Sequence, residues 1–249
     1  EFGLVLGEPQ QVVDEAITGF VRYGRGCDLA ICVSDALADY VREHLGLKCV
    51  ITVPNGSDPD LFRPDCPPAR RMQSETSELK VLWMGSADLA WHNLDLLRKT
   101  ANHLWEHGSR REISFHIIGT GLRDFRDMPP NVNYYGSERY EQLPHWLSAM
   151  DVGLVSYKEG AGHYSSPLKL FDYMASGLAV VATPQPQVRQ IFKELGQSDL
   201  MTRGEDPEEL AHLLLRLAQD RKRVERLGTA ARQLVIREYS WTTIVACIF

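Results

Sequence analysis

Short apolar runs recur along this chain, separated by stretches whose apolar positions fall three and four residues apart. The runs Asp28–Val33, Lys48–Val53, Leu79–Met84, Ile113–Ile118, Val132–Tyr135, Val152–Val155 and Leu178–Ala182 have the length and the aliphatic content of buried parallel strands. Between them the spacing predicts helices. Pro9–Tyr23 carries Val12, Val13, Ala16, Ile17, Phe20 and Val21 on helical spacing, and Ser34 caps a helix that Gly46 stops. Further helices are expected over about Asn93–His107, Glu138–Ala149, Gln187–Leu195, Pro207–Gln219 and Arg221–Tyr239, with Ser240 capping another at Trp241. Strand and helix alternate throughout, which predicts a doubly wound parallel α/β sheet.

The stretch from Asp151 to Pro184 is the one the other elements are arranged around. It reads as strand, loop, short helix, strand. The helix is expected to start at Pro167 with Ser166 as its N-cap and to end at Gly177. The loop 156–165 exceeds the roughly two to six residues usual for such a connection. Its Gly160 and Gly162 let backbone approach a ligand. In open α/β sheets ligands lie beyond the carboxyl ends of the strands, and helix N-termini attract anions. Lys169 falls in the first helical turn, where a cation opposes the helix dipole unless an anion is present, and Asp172 follows on the same face. From spacing alone the two residues read equally well as an exposed ion pair.

Composition narrows the function classes. The chain has 249 residues, 44% of them apolar, and a formal net charge of −6 without a long basic block, which argues against a nucleic-acid partner. Five cysteines lack any Cys-x-x-Cys pair, so reduced thiols and a cytoplasmic setting are expected, with no metal site. Asp58 and Asp60 are too few for one. No apolar run approaches the roughly twenty residues of a membrane span. Gly119-Thr120-Gly121 lacks the third glycine of a dinucleotide fingerprint. The chain opens on Glu1 and closes on Ile248-Phe249 within what reads as a helix, as a piece of a longer protein would.

The run Ser166–Thr183 resembles the donor-binding signature of GT-B glycosyltransferases of the GT4 type (glycosyl transferases group 1), where an acidic residue precedes a Met-Ala-x-Gly step. Pro54–Pro64 is similar to the Pro-Asn-Gly-x-Asp segment that crosses between the two domains of that family, and Tyr239-Ser240-Trp241 to the point where a last helix returns. The resemblance implies three parts. Residues 1–64 would be the end of an N-terminal, acceptor-side domain with the crossing. Residues 65–239 would be a Rossmann-like nucleotide-sugar-binding domain, opening on a polar linker, and 240–249 the start of the returning helix.

It also implies a donor such as a UDP- or GDP-sugar, no further cofactor, and transfer with retention to a glycan or lipid-linked acceptor in polysaccharide biosynthesis. The missing N-terminal part would supply the acceptor groove and any peripheral contact with the cytoplasmic face of a membrane. The piece alone is expected to bind donor weakly and to be nearly inactive.

On this reading the pyrophosphate lies over the amides of Ser165 and Ser166, with Lys169 as the charged, catalytic group and Gly85-Ser86 facing it. Asp172 accepts from the ribose, and the base packs near Tyr135-Gly136. His163 and Tyr164 complete the candidate donor-binding set, although Tyr135 reads equally as a core aromatic. Three positions depart from the family: Tyr164 stands where many members carry a glutamate that contacts the sugar, Asp172 replaces the commoner glutamate, and Trp91-His92-Asn93 replaces a basic pair. Glu159 or His163 could substitute for the glutamate, and His92 reads either as a residue facing phosphate or, more readily, as a surface residue at a helix start. These departures keep two rivals open, a nucleotide-sugar 2-epimerase and a degenerate domain that only binds glycan or a partner.

Overall fold

The computed structural model describes residues 9–72, 77–121 and 128–248. Two parallel sheets organise it. In the first part, helix α1 (Gln10–Gly24) precedes strand β1 (Ala30–Cys32), helix α2 (Asp35–Leu45) and strand β2 (Val50–Thr52), and β1 pairs with β2. The Ser34 hydroxyl accepts from the Leu37 amide at the start of α2, and Gly46 ends that helix with φ +65°. Cys32, Ala38, Val41 and Leu45 form a small core of their own. Of α1 only Val13 is buried, whereas Val12, Ile17 and Phe20 are exposed.

The larger part begins with β3 (Leu79–Ser86) and α3 (Leu94–Glu106), followed by β4 (Ile113–Thr120) and β5 (Val132–Tyr134). Helix α4 (Leu143–Leu147) leads to β6 (Val152–Val155), α5 (Leu168–Ala175), β7 (Ala179–Ala182) and α6 (Pro186–Glu194). Helices α7 (Pro207–Gln219), α8 (Arg221–Leu234) and α9 (Trp241–Ala246) complete it, a π-helical turn over Val235–Tyr239 joining the last two. The five strands are all parallel, in the order β5-β4-β3-β6-β7. Right-handed crossovers therefore run outward from β3 in one direction and from β6 in the other, and put α3 and α5 on opposite faces. The doubly wound α/β reading holds.

Two helices depart from expectation. The Glu138–Ala149 stretch forms a 3-10 turn (Tyr140–Gln142) and the short α4, because Pro144 cannot donate in a helix interior and fits only at its start. Helix α5 begins at Leu168 with Pro167 in extended geometry, one residue later than predicted, and Ser166 does not cap it. The Ser166 hydroxyl instead accepts from the Asn55 amide at 2.9 Å, while its carbonyl accepts from Asn55 Nδ2 at 2.7 Å.

Helix α8 packs on α5 and β7 with almost no clearance. A Cβ on Gly228 would stand 1.9 Å from the carbonyl oxygen of Gly177. Gly228→Ala is therefore expected to destabilise the chain by about 1–3 kcal/mol, although alanine favours a helix over glycine by about 1 kcal/mol. Urea unfolding of the variant checks this, and a midpoint equal to wild type would mean that α8 shifts freely.

Candidate functional site

The strand order places the topological switch point between β3 and β6, where the crossovers diverge; in open α/β sheets ligands bind at that carboxyl edge. Helix α5 follows β6 and so delivers its first turn to that edge. Seven of its eight residues are buried, including Lys169 and Asp172. An exposed ion pair is thereby excluded, since Lys169 is 8% and Asp172 7% accessible, and each bonds a different neighbour.

The Lys169 ammonium lies at the end of β3. A Cβ built on Gly85 would stand 2.9 Å from its Nζ, so glycine is what allows the charge to come this close. Nζ sits 4.5 Å from the centroid of the Trp83 ring and 5.6 Å from that of Tyr157, both favourable for a cation. Its hydrogen-bond partner is Nε2 of His92 at 3.1 Å. No carboxylate forms a salt bridge with it among the described residues. An ammonium enclosed in this way has a strong electrostatic demand for an anion.

Asp172, one turn further along the helix, bonds the chain crossing instead. Its Oδ1 accepts from the Ser57 hydroxyl at 2.7 Å. Ser57 is itself clamped: its amide donates to Tyr239 O and its carbonyl accepts from the Trp241 amide. The chain crossing and the segment that leads into α9 thus meet at one serine beside this carboxylate. The Asp172 charge also reaches Tyr140, whose hydroxyl is pushed up to about 12 by burial and by Asp172 and Asp58.

The other candidates divide. Ser165 and Ser166 lie before α5, with Ser166 bonded to Asn55 as described and Ser165 donating to Gly162 O. Gly85 and Ser86 are at the edge with Lys169; the Ser86 hydroxyl pairs with Thr120 Oγ1 and its carbonyl meets His92 Nδ1 at 2.6 Å. Tyr164 turns to the smaller part, its ring 5.4 Å from Tyr40 and its carbonyl accepting from Ser34. His163 is exposed against Tyr164. Glu159 is exposed and its amide donates to Glu205.

The Tyr135 ring packs against Trp146 and His116, its hydroxyl 2.9 Å from His116 Nδ1. Gly136 holds φ +80° and its carbonyl accepts from Gly119. His92 is the main correction: it is 9% accessible and enclosed by Trp83, Trp91 and Tyr157, not on the surface. Nothing in the Trp-His-Asn order signals this burial. Asn55 and Ser57 are legible in the sequence as parts of the crossing segment, and nothing in their order marks them as partners of Ser166 and Asp172.

A separate cavity of about 280 Å³ between the two sheets is lined by Ser34, Asp35, Thr52, Pro54, Gln187 and Tyr239, and touches neither Lys169 nor Asp172. No group of three or more His, Cys, Asp or Glu stands at metal-binding geometry among the described residues. No helix there is long and apolar enough to cross a membrane.

Burial pushes the Lys169 ammonium down to about 7 and the Asp172 carboxyl up to about 7, the Ser57 hydrogen bond partly restraining the latter. For Lys169 the unfolded chain binds the proton more tightly, so stability rises with pH from about 7 to the ordinary lysine range. Asp172 runs the other way: the folded chain holds the extra proton, and that stability is lost as pH rises through about 7. The ligand-free chain is expected to gain on the order of a few kcal/mol from Lys169 between about pH 7 and pH 10. In Lys169→Met this component disappears. Urea unfolding of both at several pH values measures the difference; parallel profiles would mean a solvated ammonium.

Comparison with known proteins then decides the family. Residues 78–220 match the family described as Glycosyl transferases group 1. The chain belongs to this family. A relative assigned as the teichuronic acid biosynthesis glycosyltransferase TuaH of Bacillus subtilis (strain 168) is 34% identical over 177 residues, 67% of this chain and 43% of the relative. The match thus spans less than half of that protein's length.

A TarM structure from S. aureus, in complex with fondaparinux, alpha-GlcNAc-glycerol and UDP, superposes with TM-score 0.72 at 16% identity, over 93% of this chain and 45% of that one. Anabaena Alr3699/HepE, in complex with UDP and glucose, gives 0.71 at 17% identity over 93% and 65%. The five-stranded parallel sheet and these likenesses make this group 1 chain a Rossmann-like GT-B fold.

Proposed function

We propose that the crevice at the carboxyl ends of β3 and β6 binds the nucleoside diphosphate of a nucleotide sugar, and that the chain is the donor-binding part of a sugar-transferring enzyme. The observation that carries this reading is the buried Lys169 ammonium, held beside Gly85 at the switch point of the sheet with no salt bridge to a carboxylate among the described residues. The diphosphate would meet that charge. The ribose would approach Asp172 through its second oxygen, Oδ1 being held by Ser57. Negative charge grows on the diphosphate as the sugar leaves, so a fixed ammonium there lowers the barrier. Retention at the anomeric carbon and a glycan or lipid-linked acceptor belong to the same proposal, supported by family membership.

Calorimetric titration with UDP and GDP tests it. Saturable binding of one of them is expected; a folded chain that binds neither would overturn the donor reading. The alternative of a domain that binds without transferring keeps one specific support. Tyr164, the departure from the glutamate pattern, packs its ring on Tyr40 of the smaller part.

A further inference from the structure

The donor reading leaves open what holds a bare ammonium in place before any ligand arrives. Lys169 reaches its position through a flexible four-carbon stem, and nothing on α5 itself fixes the terminal nitrogen. The neighbouring histidine has the required chemistry. The Ser86 carbonyl can only accept, so His92 Nδ1 at 2.6 Å must carry the ring proton. Nε2 is then the bare nitrogen, and it stands 3.1 Å from Nζ as an acceptor. The ring cannot swing away, because Trp83, Trp91 and Tyr157 all stand edge-on to it within 6.1 Å between centroids.

We propose that His92 is a positioning residue, whose neutral imidazole relays the fixed Ser86 carbonyl to the Lys169 ammonium and holds that charge at the carboxyl end of β3 for the donor diphosphate. The proposal rests on the donor reading for its ligand but on the apo geometry for its hydrogen bond. Burial and the adjoining ammonium push the His92 ring down to about 4, so it stays a neutral acceptor across the neutral range. The ionisable groups facing Nζ are His92, from the segment after β3, and Tyr157, from the segment after β6, whose hydroxyl burial pushes up to about 12. On α5 itself, Asp172 is turned to Ser57, and the Tyr173 hydroxyl accepts from the Met84 amide. Among the described residues, His92 is the group that offers the ammonium a hydrogen-bond acceptor.

Two variants separate this role from packing. His92→Leu fills the space without an acceptor, and His92→Gln restores an acceptor at similar reach. In the ligand-free chain, NMR titration of the Lys169 side chain should show its pKa lowered in His92→Leu and recovered in His92→Gln. UDP affinity should fall about tenfold to a hundredfold in His92→Leu, as expected for a lost hydrogen bond to a charge, and return to within about threefold in His92→Gln. An unchanged Lys169 titration in His92→Leu overturns the inference, whatever UDP does. Absence of UDP and GDP binding in wild type, with the titration shifted as described, overturns the donor reading while the hydrogen-bond role stands.

Discussion

Replacing Lys169 by alanine is expected to lower UDP or GDP affinity by about tenfold to a hundredfold, the worth of a hydrogen bond between charged groups. Transfer, assayed in the longest form of the protein that shows activity, should fall further. Loss of a donor aimed at growing negative charge typically costs about 10²–10³ in rate, or roughly 3–4 kcal/mol. The direction of the accompanying stability change makes the test specific. Removing a buried charge that has no carboxylate partner among the described residues relieves desolvation, so the ligand-free variant should be no less stable than wild type near neutral pH. A variant that binds normally would remove Lys169 from the site. One that unfolds would mean instead that the stem and the contacts with Trp83 and Tyr157 carry the fold.

Gly119→Ala should have the largest effect on stability. Gly119 pairs in register with Gly85 across β3 and β4, and a Cβ on it would lie 1.6 Å from the Gly85 carbonyl oxygen. Its φ of +152° is also one that side-chain-bearing residues rarely adopt. Overpacking costs about 1–3 kcal/mol and a strained backbone about 1–3 more. A combined loss of about 3–5 kcal/mol would lower the melting temperature by roughly 6–20 °C in a chain of this size. The clash forces the carboxyl ends of the two strands apart beside Lys169, so nucleotide affinity should fall in whatever fraction still folds. Thermal unfolding followed by titration measures both, and a melting temperature within about 2 °C of wild type would mean the edge is pliable.

The two variants act at one edge by different means, a lost charge and a lost close approach. Their comparison shows how the site depends on glycine. Gly85 admits the ammonium, and Gly119 admits Gly85. The motifs along the chain point to only one of these: Gly119-Thr120-Gly121 reads as an incomplete dinucleotide fingerprint, whereas its first glycine serves the packing of two strands.

The sequence by itself determined the seven strands, most of the helices and the chemistry of the α5 turn, because burial on both faces of a parallel sheet demands aliphatic runs and helical spacing marks the rest. It also carried the family signature from Ser166 to Thr183 and the presence of a lysine and an aspartate one turn apart. It did not separate an exposed ion pair from two enclosed charges, since a spacing of three residues is the same in either case. Only the tertiary structure decided that. The strand order β5-β4-β3-β6-β7 brings β3 beside β6, though they are far apart in the chain, and so sets His92 and Gly85 against Lys169. The return of the chain at Ser240 clamps Ser57 against Asp172. Each of these contacts joins residues more than seventy positions apart, and no local pattern of residues records which distant strand will become a neighbour.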